Sequence, residues 1–341
     1  MATIKDVAAR AGVSVSLVSH YLNGRKGVGP ESRRRIEEAI EALHYRPNEL
    51  ARSLVRQRTN TIGVMVSHLS NPFLFGLFDG IESGAADYNI VYCSASIEAQ
   101  KRKRYFEFFL HGRADALIVY GSGTADEELI HDLTRSGFPV VLIESKMPDN
   151  AAGRILIDSF AAGKEATEYL LSLGHRELLF ISGMEQISAV RDRRMGFETA
   201  CAAAEGVRPH ILRPEYPDKG QVSRQMLFEG AYHAMQRYLR ENTAPHAIFS
   251  SGDILAYGAV QALRENGLRV PEDISVVGFD NTAISEMYLP SVTTIGQPQY
   301  EIGTTAMRLL FDRISGKPAH SVSVPHELIL RGSVKRSNLP L

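Results

Sequence analysis

The sequence predicts a small all-α head, a short linker and a large α/β body of two lobes, each lobe a parallel sheet covered by helices. Three observations lead there. Residues 4–45 show helical apolar spacing. From residue 61 apolar β runs alternate with helical stretches, the rhythm of parallel sheets. The opening strand–loop–helix unit recurs, at Thr61-Ile62-Gly63-Val64-Met65-Val66 and at Glu177-Leu178-Leu179-Phe180-Ile181-Ser182-Gly183. The chain has 341 residues, more than one ordinary core holds.

In the head, Ile4, Val7 and Ala8 fall on one face of a helix over Ile4–Ala11, and Gly12 stops it. Ser14 is placed to cap a second helix to about Leu22, closed by Asn23-Gly24. Only Val13 and Ser14 separate the two, the tight connection of a helix-turn-helix. A third helix starts at Pro30-Glu31, buries Ile36, Ala39, Ile40 and Leu43, and is expected to run until Pro47. Residues 48–55 have two helical turns' worth of pattern, too little to hold itself in water. The expected boundaries are therefore 1–46 for the head, 47–60 for a hinge helix and linker, and 61–341 for the body.

Strands are expected at Thr61–Ser67, Ile90–Ser94, Ala116–Tyr120, Val140–Glu144 and Ile155–Asp158. Further strands are expected at Leu178–Ser182, Ala247–Ser251, Ile274–Asp280, Val292–Gly296 and Glu327–Arg331.

Residues 1–60 carry eleven Lys and Arg against six Asp and Glu, a net +5, so the remainder carries −6. A basic head on an acidic body directs a polyanion to the head. No apolar run reaches membrane-spanning length. The first six residues open an amphipathic pattern rather than a signal peptide, so a cytoplasmic protein is expected. Cys93 and Cys201 lie far apart in apolar settings, which fits buried thiols in a reducing compartment and gives no metal-ligand spacing.

Residues 3–54 closely resemble the head of LacI/GalR transcriptional regulators. The match rests on Thr3-Ile4-Lys5-Asp6-Val7-Ala8, Ala11-Gly12-Val13-Ser14, Val18-Ser19-His20-Tyr21-Leu22-Asn23, Tyr45-Arg46-Pro47-Asn48 and Ala51-Arg52-Ser53-Leu54. The body is similar at Asn71-Pro72-Phe73, Gly174-His175-Arg176, Arg193 with Gly196-Phe197, Val277–Asn281, and Thr293-Thr294-Ile295 with Gln297. Residues 213–229 are longer than the family pattern. The resemblance implies a periplasmic-binding-protein-like body with ligand between its lobes. It places crossovers near 158–161, 289–292 and 318–322, with lobe 1 at about 61–158 and 292–320 and lobe 2 at about 161–289 and 322–341.

For the head, the resemblance places Val15, Ser16 and His20 at base edges in the major groove. Val15 offers methyls to thymine, Ser16 donates or accepts, and His20 donates to guanine. Lys5, Arg10, Arg25, Lys26 and Arg52 are phosphate candidates, as is part of the Arg33–Arg35 run. Leu54 matches the family's minor-groove wedge, which kinks the duplex. The partner is then operator DNA, read by a homodimer. No apolar heptad follows Glu327–Arg331 to build a tetramer.

For the body, open parallel sheets bind ligands at strand carboxyl ends. Asp280 and Glu144 each end a β run, and a carboxylate there accepts from sugar hydroxyls or a ring N–H. Arg193 matches the family's ligand-facing arginine. Phe73 and Phe75 follow the first strand and are expected to stack on a ligand; Asn71, Arg191 and Gln297 are secondary candidates. Asp253 reads as part of a loop capping a helix. The expected small-molecule effector is a sugar or sugar phosphate, with a purine or nucleoside as the alternative; no cofactor is expected.

An enzyme is disfavoured. Gly121-Ser122-Gly123 lacks the third glycine and the lysine of a P-loop, and no nucleophile elbow or zinc-protease motif occurs. A transport binding protein would suit the body but not the basic head.

Overall fold

The computed structural model describes residues 2–24, 27–45, 58–66, 69, 71–94, 99–121, 126–145, 147, 152–216 and 224–337. The chain divides into two compact units, Met1–Thr59 and Asn60–Leu341.

The head unit holds α1 (Ile4–Ala11), α2 (Val15–Leu22) and α3 (Pro30–Ala42). Thr3 and Asp6 cap α1 reciprocally: Thr3 N donates to Asp6 Oδ2 at 2.8 Å, and Asp6 N to Thr3 Oγ1 at 3.4 Å. Gly12 takes φ 61° to end α1, and Ser14 Oγ accepts from Leu17 N at 3.2 Å to start α2. Val7, Ala8, Ala11, Val18, Ile36 and Ala39 form the core. α3 stops at Ala42, before Pro47. His44 adopts φ 46° and Tyr45 N donates to Ile40 O at 3.0 Å, so a left-handed cap ends the helix where no glycine signals it.

In the body, β1 (Thr61–Val66), α4 (Phe73–Gly84), β2 (Asn89–Ser94), α5 (Ala99–Leu110), β3 (Ala116–Tyr120), α6 (Glu127–Arg135), β4 (Val140–Ile143) and β5 (Gly153–Ile157) build lobe 1. Lobe 2 follows with α7 (Ser159–Ser172), β6 (Glu177–Ile181), α8 (Ser188–Ala202), β7 (Arg208–Leu212), α9 (Arg224–Glu241), β8 (Ala247–Ser250), α10 (Asp253–Glu265), β9 (Ser275–Asp280), α11 (Ile284–Met287) and β10 (Thr293–Gly296). The chain then runs through α12 (Gln299–Ile314), β11 (Ser321–Val324) and β12 (Glu327–Ile329).

The lobe 1 sheet has order β11-β5-β4-β3-β1-β2 and is parallel throughout. The lobe 2 sheet has order β12-β10-β9-β8-β6-β7, with β12 antiparallel at its edge. Strand alternation explains the doubly buried cores. Ile62, Val64 and Val66 join one cluster while Met65 joins the other. In lobe 2, Leu179 and Ile181 face one side, Leu178 and Phe180 the other.

The crossovers fall at Asp158, at Gln297-Pro298 and at Pro325-His326. The second and third lie later than the expected windows at 289–292 and 318–322. β10 pairs with β9 from Thr293↔Val277 to Gly296↔Asp280, so it belongs to lobe 2; β11 pairs with β5, so it belongs to lobe 1. Apolar patterning marks a strand but carries no information about which sheet pairs with it.

Glycines bring helix pairs into backbone contact in both lobes: Gly80 and Gly303 join α4 to α12, Gly258 joins α10 to α9, and Gly163 and Gly196 join α7 to α8. A Cβ on Gly163 would lie 2.4 Å from Arg193 O, and one on Gly196 would lie 2.3 Å from Phe160 O. Only glycine lets α7 and α8 approach so closely, and that approach seats the backbone of Arg193.

Candidate effector cleft and DNA-reading face

On the head, Ser16 and His20 lie four residues apart on α2, opposite the buried Val18; Val15 is 40% exposed at its start. Lys5 and Arg10 are exposed on α1. The Arg33–Arg35 run is divided among contacts within the head. Arg34 bridges Glu31 at 2.9 Å and Glu38 at 3.3 Å, the Arg33 guanidinium lies 5.9 Å from the Tyr21 ring centroid, and Arg35 lies against Gly12. Arg25, Lys26, Arg52 and Leu54 lie outside the described residues.

Between the lobes a cavity of about 140 Å³ opens at the carboxyl ends of both sheets. Lobe 1 contributes Glu144 and Tyr120, lobe 2 contributes Arg193, Ser251, Asp253 and Asp280. Aliphatic wall comes from Leu74, Met184, Val190, Leu227 and Leu255. Two carboxylate bearers sit on unusual backbone: Glu144 at φ 54° and Asp280 at φ 101°, each immediately after or at the end of its strand. Such conformations concentrate at functional sites.

Arg193 is 6% exposed. Its Nη1 donates to Ser251 O at 2.7 Å and lies 3.5 Å from Asp280 Oδ1, and its Nη2 lies 3.6 Å from Glu144 Oε1. The guanidinium carbon lies 3.6 Å from the Phe279 ring centroid, a cation–π contact. The ion pair therefore joins the two lobes. Four buried atoms here lack a hydrogen-bond partner: Arg193 Nε, Glu144 Oε1, Ser251 Oγ and Gln297 Oε1. Buried polar groups are normally satisfied, so this set has the composition of a polar ligand's complement.

Burial pushes the Asp280 carboxyl up to about 8, against the pull of Arg193, and the nearby Asp253 and Glu144 charges add to the rise. Burial likewise lifts Asp253 to about 6 although three hydrogen bonds oppose it. Burial, then the Glu144 and Asp280 charges, hold the Tyr120 hydroxyl well above its usual value.

Residues 3–48 match the family described as bacterial regulatory proteins, lacI family, and residues 167–334 match the periplasmic binding protein-like domain. The HTH-type transcriptional repressor PurR of Pectobacterium carotovorum subsp. carotovorum (strain PC1) is 34% identical over 339 residues, covering 98% of this chain and 97% of that protein. The chain belongs to the LacI family. Two solved structures of that fold are similar over the whole chain. The lac repressor dimer bound to operator and the anti-inducer ONPF has a TM-score of 0.82 at 25% identity, covering 98% of this chain and 99% of its own. The transcriptional regulator CelR–cellobiose complex has a TM-score of 0.70 at 26% identity, covering 98% and 100%. This LacI-family chain is thus a DNA-binding transcription regulator with an effector-binding body, not an enzyme. Among its described residues no helix is long and apolar enough to cross a membrane.

The cleft collects Asp280, Arg193, Glu144 and Asn71 from the expected set. Asn71 Oδ1 also accepts from Phe73 N at 3.1 Å at the start of α4. Gln297 is 5% exposed beside the cleft, its Nε2 3.5 Å from Asp280 Oδ1. Phe73, Phe75 and Arg191 do not line it. Phe73 is 1% exposed in the lobe 1 core, stacked 5.6 Å from Tyr120, and so supports the cleft from behind. Phe75 is 56% exposed, because two helical steps turn it away from Phe73. Arg191 is exposed and donates to Glu185 O.

Asp253 corrects the capping interpretation. Its helix has no side-chain cap bond; the carboxylate instead accepts from Thr282 N at 2.8 Å, Thr282 Oγ1 at 2.9 Å and Thr294 Oγ1 at 2.7 Å. Tyr120 was missed, although it ends β3 as Asp280 ends β9, so the same strand-end logic would have found it.

The raised Asp280 sets a pH dependence. The folded body keeps a proton that an unfolded Asp, near about 4, gives up, so stability falls as pH rises from about 4 through about 8. Asp253 contributes the same sign up to about 6. In thermal melts of ligand-free protein, wild type should lose more stability than Asp280→Asn between about pH 5 and about pH 8.5. Parallel profiles for the two proteins would count against a buried, proton-holding Asp280.

Proposed function

We propose that this protein is a cytoplasmic homodimeric repressor whose operator affinity is set by a neutral carbohydrate held between the lobes. The observation that carries the ligand class is the set of unmatched groups around Arg193: one donor, two carbonyl or carboxylate acceptors and a hydroxyl that serves as either. Sugar hydroxyls both donate and accept, and they match that mixture. Glu144 and Asp253 line the cleft as carboxylates against one lining guanidinium, which opposes the charge of a sugar phosphate. Aliphatic walls suit the C–H face of a sugar ring. Among the described residues Tyr120 is the one aromatic lining the cleft, less than a sandwiched purine ring would use.

Neutral sugars, their phosphates and purine bases would be compared by thermal shift on the full chain. A neutral sugar should raise Tm, with Asp280→Asn and Arg193→Ala each losing the response while operator binding is retained. Each substitution removes charge-assisted bonds worth roughly 1.5–3 kcal/mol, about ten- to a hundredfold in affinity. Preferential stabilisation by a phosphate or a purine would overturn the ligand class.

A homodimer follows from operator geometry, since one head buries too little DNA surface for tight binding. An exposed apolar run on lobe 2 supports it: Met287 is 78%, Tyr288 56% and Leu289 91% exposed, and such patches mark interfaces. Wild type should sediment as a dimer at micromolar concentration and Leu289→Asp as a monomer with weakened operator binding. A dimeric Leu289→Asp would place the interface elsewhere.

In the operator complex, Val15, Ser16 and His20 read bases, while Lys5, Arg10, Arg25, Lys26 and Arg52 hold phosphates. Leu54 wedges into the minor groove. Leu54→Ala should weaken operator binding by about tenfold or more while leaving random-duplex affinity and the salt slope nearly unchanged. Equal losses on both duplexes would reduce residues 48–58 to a tether.

A further inference from the structure

A second cavity, of about 390 Å³, lies at the hinge of the body and adjoins the effector cleft through Glu144 and Ala189, which line both. Its walls come from both lobes and the first crossover. Lobe 1 supplies the end of β4, the first crossover supplies Asp158, Ser159 and Phe160, lobe 2 supplies the start of α8, and the end of β11 supplies Ser323.

The chemistry of this wall differs from that of the cleft. Carboxylates arrive from three separate segments, Glu144, Asp158 and Asp192, and among the described residues no lysine or arginine lines the cavity. Arg193 pairs with Glu144 and lines the effector cleft rather than the hinge cavity. Hydroxyls of Ser159, Ser188 and Ser323 alternate with the acids. Ser159 is 2% exposed, yet its Oγ has no hydrogen-bond partner. A buried hydroxyl left unmatched at a cavity wall points to a polar ligand there. Phe160 is 37% exposed at the same wall and offers a ring face to a cation.

We propose that the hinge cavity is a second small-molecule site, specific for a compact hydroxylated cation, that is, a primary amine bearing neighbouring hydroxyls. The ammonium takes the carboxylates and the Phe160 face, and the ligand's hydroxyls meet Ser159 and Ser323. A ligand there contacts both lobes and the first crossover, so it acts on the relative position of the lobes whatever compound fills the effector cleft.

The test is calorimetric titration of the full chain with ethanolamine, and with ethylene glycol as its uncharged counterpart. Wild type should bind ethanolamine and not the diol. Asp158→Asn removes the charge while its amide oxygen can still accept from Ala161 N, as Asp158 Oδ1 does at 2.9 Å. Ser323→Leu fills an exposed part of the cavity. Both should weaken ethanolamine by at least about tenfold, and neither residue lines the effector cleft. Asp280→Asn should leave ethanolamine binding intact. The proposal is overturned by equal binding of amine and diol, by no binding of either, or by loss in Asp280→Asn with none in Ser323→Leu, which would put the amine in the effector cleft.

Discussion

Arg193 places one buried positive charge between carboxylates from both lobes, and the rest of the body is arranged to make that tolerable. A charge removed from water is costly unless paired and hydrogen-bonded. Here Glu144 supplies the countercharge, Asp280 lies 3.5 Å away, Ser251 O accepts a hydrogen bond, and the Phe279 ring covers the guanidinium. Removing one partner from such a group typically costs about 3–5 kcal/mol, because the other charge is left behind. The position of Arg193 in turn depends on Gly163 and Gly196, whose missing side chains allow α7 and α8 to touch.

The two carboxylates that define the cleft differ in freedom. Asp253 is fully engaged by Thr282 and Thr294, so it contributes charge and rigidity but has little capacity left for a ligand. It also sits over Gly278, where a Cβ would lie 2.3 Å from its Oδ1. Asp280 is held by its backbone instead: Gln299 Nε2 donates to Asp280 O at 2.8 Å, leaving the carboxylate directed at Arg193 and Gln297. One acid is a strut and the other remains available, although both are buried and both are pushed toward the protonated form.

Local chemistry made much of this readable in advance. The cap at Ser14 and the apolar runs of the central strands announce their elements. The edge strand β7 did not, because Arg208-Pro209-His210 is polar and exposed, and the Ser/Val alternation of β11 is too short to stand out. Strand-end logic reached Glu144 and Asp280 because a β run and a terminal carboxylate are adjacent in sequence. It could not orient Phe73 and Phe75, since their directions depend on where α4 begins. Nor could it see Asp253 reaching Thr294, a contact across 41 residues. Register and sheet membership, which moved two crossovers, are likewise long-range properties.

A regulator needs more than a pocket, because a ligand that binds two states equally shifts neither. The unmatched atoms of Arg193, Glu144, Ser251 and Gln297 come from both lobes and meet in the one arrangement where Arg193 lies between Glu144 and Asp280. A ligand completing the three that line the cleft, on Arg193, Glu144 and Ser251, gains in that arrangement what it does not gain in one that separates them. At about 1 kcal/mol per net hydrogen bond the difference is about 3 kcal/mol. Moving a two-state equilibrium from 1:99 to 99:1 takes about 5.5 kcal/mol. The buried polar set is therefore large enough to account for about half of a full switch, and burial of a ligand's apolar face against Leu74, Met184 and Val190 adds to it.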